Sequence, residues 1–134
     1  MPMAFRPITA KDRELIDAAR KTLRRRYRPH RHTVSAAVRT SSGRVYTGIN
    51  IDASPHGPCA EPVAMGAAFV AGERIASIVA LTKRGREFPV LPPCGSCRQL
   101  LMDYAPDATV LLTDRGKVVK AKARELLPGP YLSA

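Results

Sequence analysis

A chain of 134 residues, 45% of them apolar, is long enough for one domain with a real core. It holds no run near the ~20 apolar residues of a membrane span, and Met1 to Thr9 lacks the hydrophobic stretch of a signal peptide. Net charge is +11, which attracts polyanions and phosphorylated ligands, and the few cysteines suit a reducing cytoplasm.

Thr9 is an expected N-cap, and Leu15, Ile16, Ala19, Leu23 and Tyr27 recur at helical spacing, so a first helix is expected from Ala10 to Tyr27, stopped by Pro29. Arg20, Lys21, Arg24, Arg25, Arg26, Arg28 and Arg31 crowd its end. Such a run reads as a solvated helix end whose cations complement the macrodipole, or as a nucleic-acid surface with Tyr27 as its one stacking aromatic. Val34 to Thr40 and Val45 to Asn50 form a hairpin around Ser41-Ser42-Gly43, followed by a loop from Ile51 to Pro58. Cys59 opens a second helix that ends near Gly72. Ile75 to Thr82 is a nearly continuous apolar run, as expected of a strand covered on both faces. A polar loop from Lys83 to Pro93 leads to a third helix starting at Cys94. Strands at Thr109 to Thr113 and Val118 to Ala121 flank an Asp114-Arg115-Gly116 turn, and Arg124 to Leu127 makes at most one helical turn. This order predicts one domain over 1–134, a three-layer α/β/α sandwich with a mixed five-stranded sheet.

All three cysteines fall in two short stretches, Cys59-Ala60-Glu61 and Pro93-Cys94-Gly95-Ser96-Cys97. Cys94 and Cys97 can close on one metal ion from a helix start, and Cys59, 35 positions upstream, completes a three-thiolate face. Structural zinc sites usually take four protein ligands, whereas catalytic ones take three and leave a position to water. Glu61, two residues from the first ligand, is placed as the proton carrier such a water needs. Helix N-termini also favour thiolate over thiol. Other readings stand beside this one. Cys94-Gly95-Ser96-Cys97 alone could be a redox pair. A fourth ligand from His30, His32 or, nearest in sequence, His56 would close the site and make it structural. Glu61 could be a first-turn acid stabilising its helix.

Cys-Ala-Glu followed by Pro-Cys-Gly-x-Cys-Arg-Gln-Leu resembles the zinc-dependent cytidine deaminases, in particular the small cysteine-liganded branch that includes blasticidin S deaminase. Gly48-Ile49-Asn50 and Glu125-Leu126-Leu127-Pro128 are similar to further stretches of that family, and the likeness runs from about Val34 to Tyr131. The resemblance implies Zn²⁺ on Cys59, Cys94 and Cys97, and Glu61 as the catalytic acid–base. It implies that the Ala60 N–H binds the pyrimidine carbonyl and Asn50 a sugar hydroxyl. It implies that Tyr131 reaches into a neighbouring subunit's pocket, in a cytoplasmic homotetramer acting on a small nucleoside in pyrimidine salvage. Asp52 stands where cytidine-specific members usually carry Glu. Nine positions separate Asn50 from Cys59, as in blasticidin S deaminase. Pro62 occupies the place of an Arg that offsets thiolate charge, which leaves Arg98 as the candidate cation, or as an ordinary exposed helical Arg. The expected activity is hydrolytic deamination of cytidine or deoxycytidine. Its rivals are deamination of blasticidin S or another analogue and, in another class, a zinc-stabilised nucleic-acid-binding protein using the basic helix.

Overall fold

The computed structural model describes residues 5–54 and 56–132. Helix α1 (Ala10–Arg26) begins with a reciprocal cap: Asp12 N–H donates to Thr9 Oγ1, and Thr9 N–H donates to Asp12 Oδ2 at 2.8 Å. Asp12 is itself buried and also accepts from Lys120 Nζ at 2.9 Å, which ties the helix start to the sheet. Burial pushes the Asp12 carboxyl up, but Lys120 and the Thr9 donors outweigh it and hold it below the usual range.

The sheet runs β1 (Arg6–Pro7), β7 (Lys117–Lys122), β6 (Thr109–Asp114), β4 (Ile75–Thr82), β2 (Val34–Thr40), β3 (Val45–Ile49), with β5 (Val90–Leu91) paired to β4. Among the described residues only β4 and β6 pair in parallel, joined by a crossover through helix α3 (Gly95–Tyr104). The five expected strands are all present within a residue of their expected limits. The expected strand count of five is corrected to seven by β1 and β5. Two residues leave no alternating pattern to read, and Pro7, with no N–H, is confined to an edge. β5 lies inside the segment expected to be a plain loop.

Period-two alternation explains the apolar strands. Ala36, Val38, Ile78, Ala80, Val110 and Leu112 face helix α2 (Ala60–Val70) and α3, while Ala37, Val79, Leu81 and Leu111 face α1. On the α1 side Leu15, Ile16, Ala19 and Leu23 fill the layer, as their spacing predicts. The three-layer α/β/α arrangement follows.

Packing of α2 on the sheet depends on Gly48. A Cβ there would stand 2.5 Å from the backbone N of Ala64, so β3 and α2 approach backbone to backbone. Gly48→Ala forces the helix off the strand and is expected to cost about 1–3 kcal/mol. A lowered thermal midpoint together with reduced turnover checks this, because the displaced helix carries Cys59 at its start. Among the described residues, no helix is long and apolar enough to cross a membrane.

Candidate active site

Cys59 and Cys94 do not begin their helices but cap them. Both hold extended backbone (φ −66°, ψ 167° and φ −71°, ψ 171°), and neither helix start has a side-chain cap. With no side-chain oxygen at either N-cap, the sulfurs stand beside the first-turn N–H groups, which suits an anionic thiolate. Pro62 is tolerated in the first turn of α2 because its missing N–H would have had no intrahelical partner. Cys97, one turn into α3, is buried; Cys94 is exposed and Cys59 is half-buried.

The two helix starts bring the three sulfurs within 4.8 Å of one another, with 3.9 Å between Cys59 Sγ and Cys94 Sγ. Sulfurs on a tetrahedral zinc with ~2.3 Å bonds stand about 3.8 Å apart, so the donor set fits that ion in kind and in spacing. His30, His32 and His56 do not join the cluster, so no imidazole closes it among the described residues. His32 is employed elsewhere: its Nδ1–H donates to the Asn50 carbonyl at 2.9 Å. The redox-pair reading of Cys94 and Cys97 loses force, because Cys59 completes the group.

Glu61 is only 6% exposed. Burial raises its pKa, against the opposing pull of its own N–H and of the Cys97 thiol. Burial likewise pushes the Cys97 thiol far up, reinforced by the Glu61 charge. Burial and the neighbouring Cys94 raise Cys59. Burial also acts on Cys94, but the N–H of Cys97, the neighbouring thiols and the N–H of Ser96 outweigh it and lower its pKa.

A cavity of about 250 Å³ opens onto this cluster and is lined by Cys59, Cys94, Ala60, Glu61, Asn50 and Asp52. Asn50 Oδ1 accepts from Thr33 N–H at 2.8 Å and Val34 N–H at 3.0 Å, which fixes the amide and leaves its Nδ2 hydrogens free of those bonds. Asp52 lies exposed at the rim, its N–H bonded to the Arg31 carbonyl at 3.2 Å. Tyr131 is 76% exposed, and this cavity is lined without it; its carbonyl accepts from Gln99 Nε2 at 2.8 Å. Arg98 is not a free helical Arg. Its Nε donates to the Pro93 carbonyl at 2.9 Å and its Nη1 to the Leu126 carbonyl at 3.1 Å, locking the loop ahead of Cys94 to the C-terminal stretch.

Sequence reasoning missed part of the wall: Val34, Ala80, Leu91, Pro92 and Gly57. Gly57 carries a readable signal, since a Cβ there would meet the Ile51 carbonyl at 1.7 Å, and a glycine between two prolines marks a close backbone approach. Leu91 ends the two-residue β5 and Pro92 follows it directly, a stretch that no periodicity announces.

The sequence model described as "Cytidine and deoxycytidylate deaminase zinc-binding region" matches residues 9–113. A blasticidin-S deaminase from Bacillus cereus is 34% identical over 132 residues, covering 92% of this chain and 94% of that protein. A cytidine deaminase from Halalkalibacterium halodurans is 38% identical over 108 residues, 75% of this chain and 78% of the relative. Among solved structures, the cytidine deaminase from Burkholderia pseudomallei superposes with a TM-score of 0.75 at 31% identity, covering 92% of this chain and all of that one. The three-sulfur cluster lies inside the matched zinc-binding region, and on these grounds the chain belongs to the zinc-dependent cytidine deaminase family of hydrolases.

Proposed function

We propose that this enzyme hydrolyses the exocyclic amine of a cytosine nucleoside, converting cytidine or deoxycytidine to the uracil product and ammonia. One observation carries the reading: a buried carboxyl and two members of a zinc-competent trio of sulfurs, Cys59 and Cys94, line one nucleoside-sized cavity. Cys59, Cys94 and Cys97 hold the Zn²⁺, which when bound supplies the Lewis acidity that makes a water nucleophilic near neutral pH. Glu61 takes one proton of the attacking water and passes it to the ring nitrogen. As the carbonyl forms, it takes the remaining proton from the hydroxyl of the tetrahedral adduct and delivers it to the departing amine. A carbon–oxygen bond forms, the carbon–nitrogen bond breaks, and ammonia leaves. The raised pKa of Glu61 suits a group that must both accept and donate.

Other residues position the substrate. The Ala60 N–H, unpaired at the start of α2, meets the pyrimidine carbonyl. The Nδ2 hydrogens of Asn50 meet a sugar hydroxyl, and Asp52 takes a second polar group of the sugar at the rim. Arg98 offsets thiolate charge from the residue next to Cys97, a role compatible with its anchorage on Pro93 and Leu126. Exposure of Tyr131 on its own chain supports its entering a neighbouring subunit's cavity in a homotetramer. One sheet running through the described residues supports a single functional domain over 1–134, and three unpaired cysteines suit the reducing cytoplasm.

A second reading is favoured by the Bacillus cereus relative and by Asp52, which offers a negative rim to a cationic cytosine nucleoside such as blasticidin S. The +11 net charge opposes that ligand at long range. Ammonia release from cytidine, deoxycytidine and blasticidin S separates the two. The expected result is a kcat/KM for cytidine or deoxycytidine at least about tenfold above that for blasticidin S. The reverse order assigns the second reading, and no release from any of the three overturns both.

A further inference from the structure

The face of the sheet away from the sulfur cluster carries a charge pattern that nucleoside deamination does not use. Lys21, Arg24 and Arg25 stand exposed on the outer side of α1, one helical turn apart, and form a shallow groove. Lys83, Arg84 and Arg86 stand exposed on the β4–β5 loop, 58 to 65 positions later in the chain. Two contacts join the groups. The Arg24 guanidinium lies 5.4 Å over the Phe88 ring, and the Lys83 ammonium lies 4.6 Å over the Tyr27 ring. What sequence presents as one basic helix end is thus a two-element surface with two cation-capped aromatics.

None of the six cations makes an ion pair among the described residues. The acids nearest in sequence are Asp17, which is paired with Arg20, and Glu87, which flanks Arg86. Like charges gathered without partners repel one another and raise a positive potential that a polyanion relieves. Four of the six are arginines, and guanidinium forks match phosphate oxygens in pairs.

We propose that this α1/β4–β5 surface is a docking site for the phosphate backbone of single-stranded RNA, separate from the deaminase cavity. An anionic lipid surface fits less well, because Tyr27 and Phe88 are half-buried and leave no apolar anchor to insert beside the cations. A splayed base can still meet a ring edge or stack on the Arg24 guanidinium that covers Phe88.

Fluorescence anisotropy with a labelled oligouridylate tests the surface, since that strand has no cytosine for the cavity to recognise. Six phosphate contacts on a single strand predict that affinity falls about 300-fold between roughly 50 and 200 mM salt. Reversing Lys21, Arg24 and Arg25 to Glu is expected to weaken binding by at least about tenfold. Reversing Lys11, Arg44 and Arg74, cations at the opposite end of the sheet, carries the same change in net charge and leaves affinity within about threefold. A second variant, with Ala at Lys83, Arg84 and Arg86, loses affinity without altering the helix. Cytidine turnover stays unchanged in every variant, which shows that each is folded. The proposal is overturned if both reversals weaken RNA equally, if the wild-type chain binds no RNA at low salt, or if phosphatidylserine vesicles take up the protein and RNA fails to displace it. Anisotropy reads binding whether or not cytidine is the substrate, so failure of either reading is distinguishable from failure of the other.

Discussion

Glu61→Gln lowers kcat for cytidine by about 10³-fold while one zinc per chain is retained. Glutamine keeps the size and the hydrogen bonds of the carboxylate but cannot take a proton. The position is 6% exposed, so bulk water cannot stand in as the proton carrier. Glu61 is also not a member of the three-sulfur cluster, so its loss leaves the metal donors in place. A proton carrier acts in the transition state more than in the ground state, so kcat and kcat/KM fall together with little change in KM. Kinetics with metal analysis and a melting curve on the same sample check this. If Glu61 merely stabilises the start of α2, the variant melts lower and turns over within about tenfold of the wild-type rate, and the acid–base assignment is lost.

How far the sequence carries is seen in the same residues. Leu15, Ile16, Ala19 and Leu23 lie on one side of a helix by their spacing alone, and they are the residues that pack on the sheet. The apolar run from Ile75 to Thr82 is a strand because both of its faces are covered, and its limits are those expected. The cysteine spacing carries the cluster, because two residues at a helix start and a third on another helix start leave few other arrangements. What was not legible depends on backbone meeting backbone at long range. The partners of Arg98 are two carbonyls, one of them 28 residues away, and no side-chain pattern encodes an acceptor that every residue owns. The contact of Phe88 with Arg24 joins segments with no shared periodicity, which is why the basic helix read as isolated. β5 was hidden for the same reason: two residues gain strand character only from the neighbour they pair with.

Cys97→Ala abolishes zinc binding, and with it both activity and a large part of thermal stability. Cys97 is the buried member of the trio, so its sulfur is the donor that solvent or a buffer ligand cannot easily replace. If free zinc exceeds the dissociation constant a thousandfold, losing the metal removes about 4 kcal/mol of linked stability. The same chemistry sets a pH dependence for the wild-type protein. In the metal-free site burial raises the Cys97 and Cys59 thiols, so both carry protons at neutral pH, whereas Cys94 is lowered. Zinc binds thiolates, so binding expels at least these two protons. Acidification therefore opposes binding, and the zinc dissociation constant rises by at least about 100-fold for each unit of pH lost. Competition with a chromogenic chelator across pH 6 to 8, at ~0.5-unit steps, reads that slope directly. A flat profile, or one zinc per chain remaining in Cys97→Ala, would remove this sulfur from the metal site and leave Cys59 and Cys94 without the third donor that makes an open, catalytic zinc position.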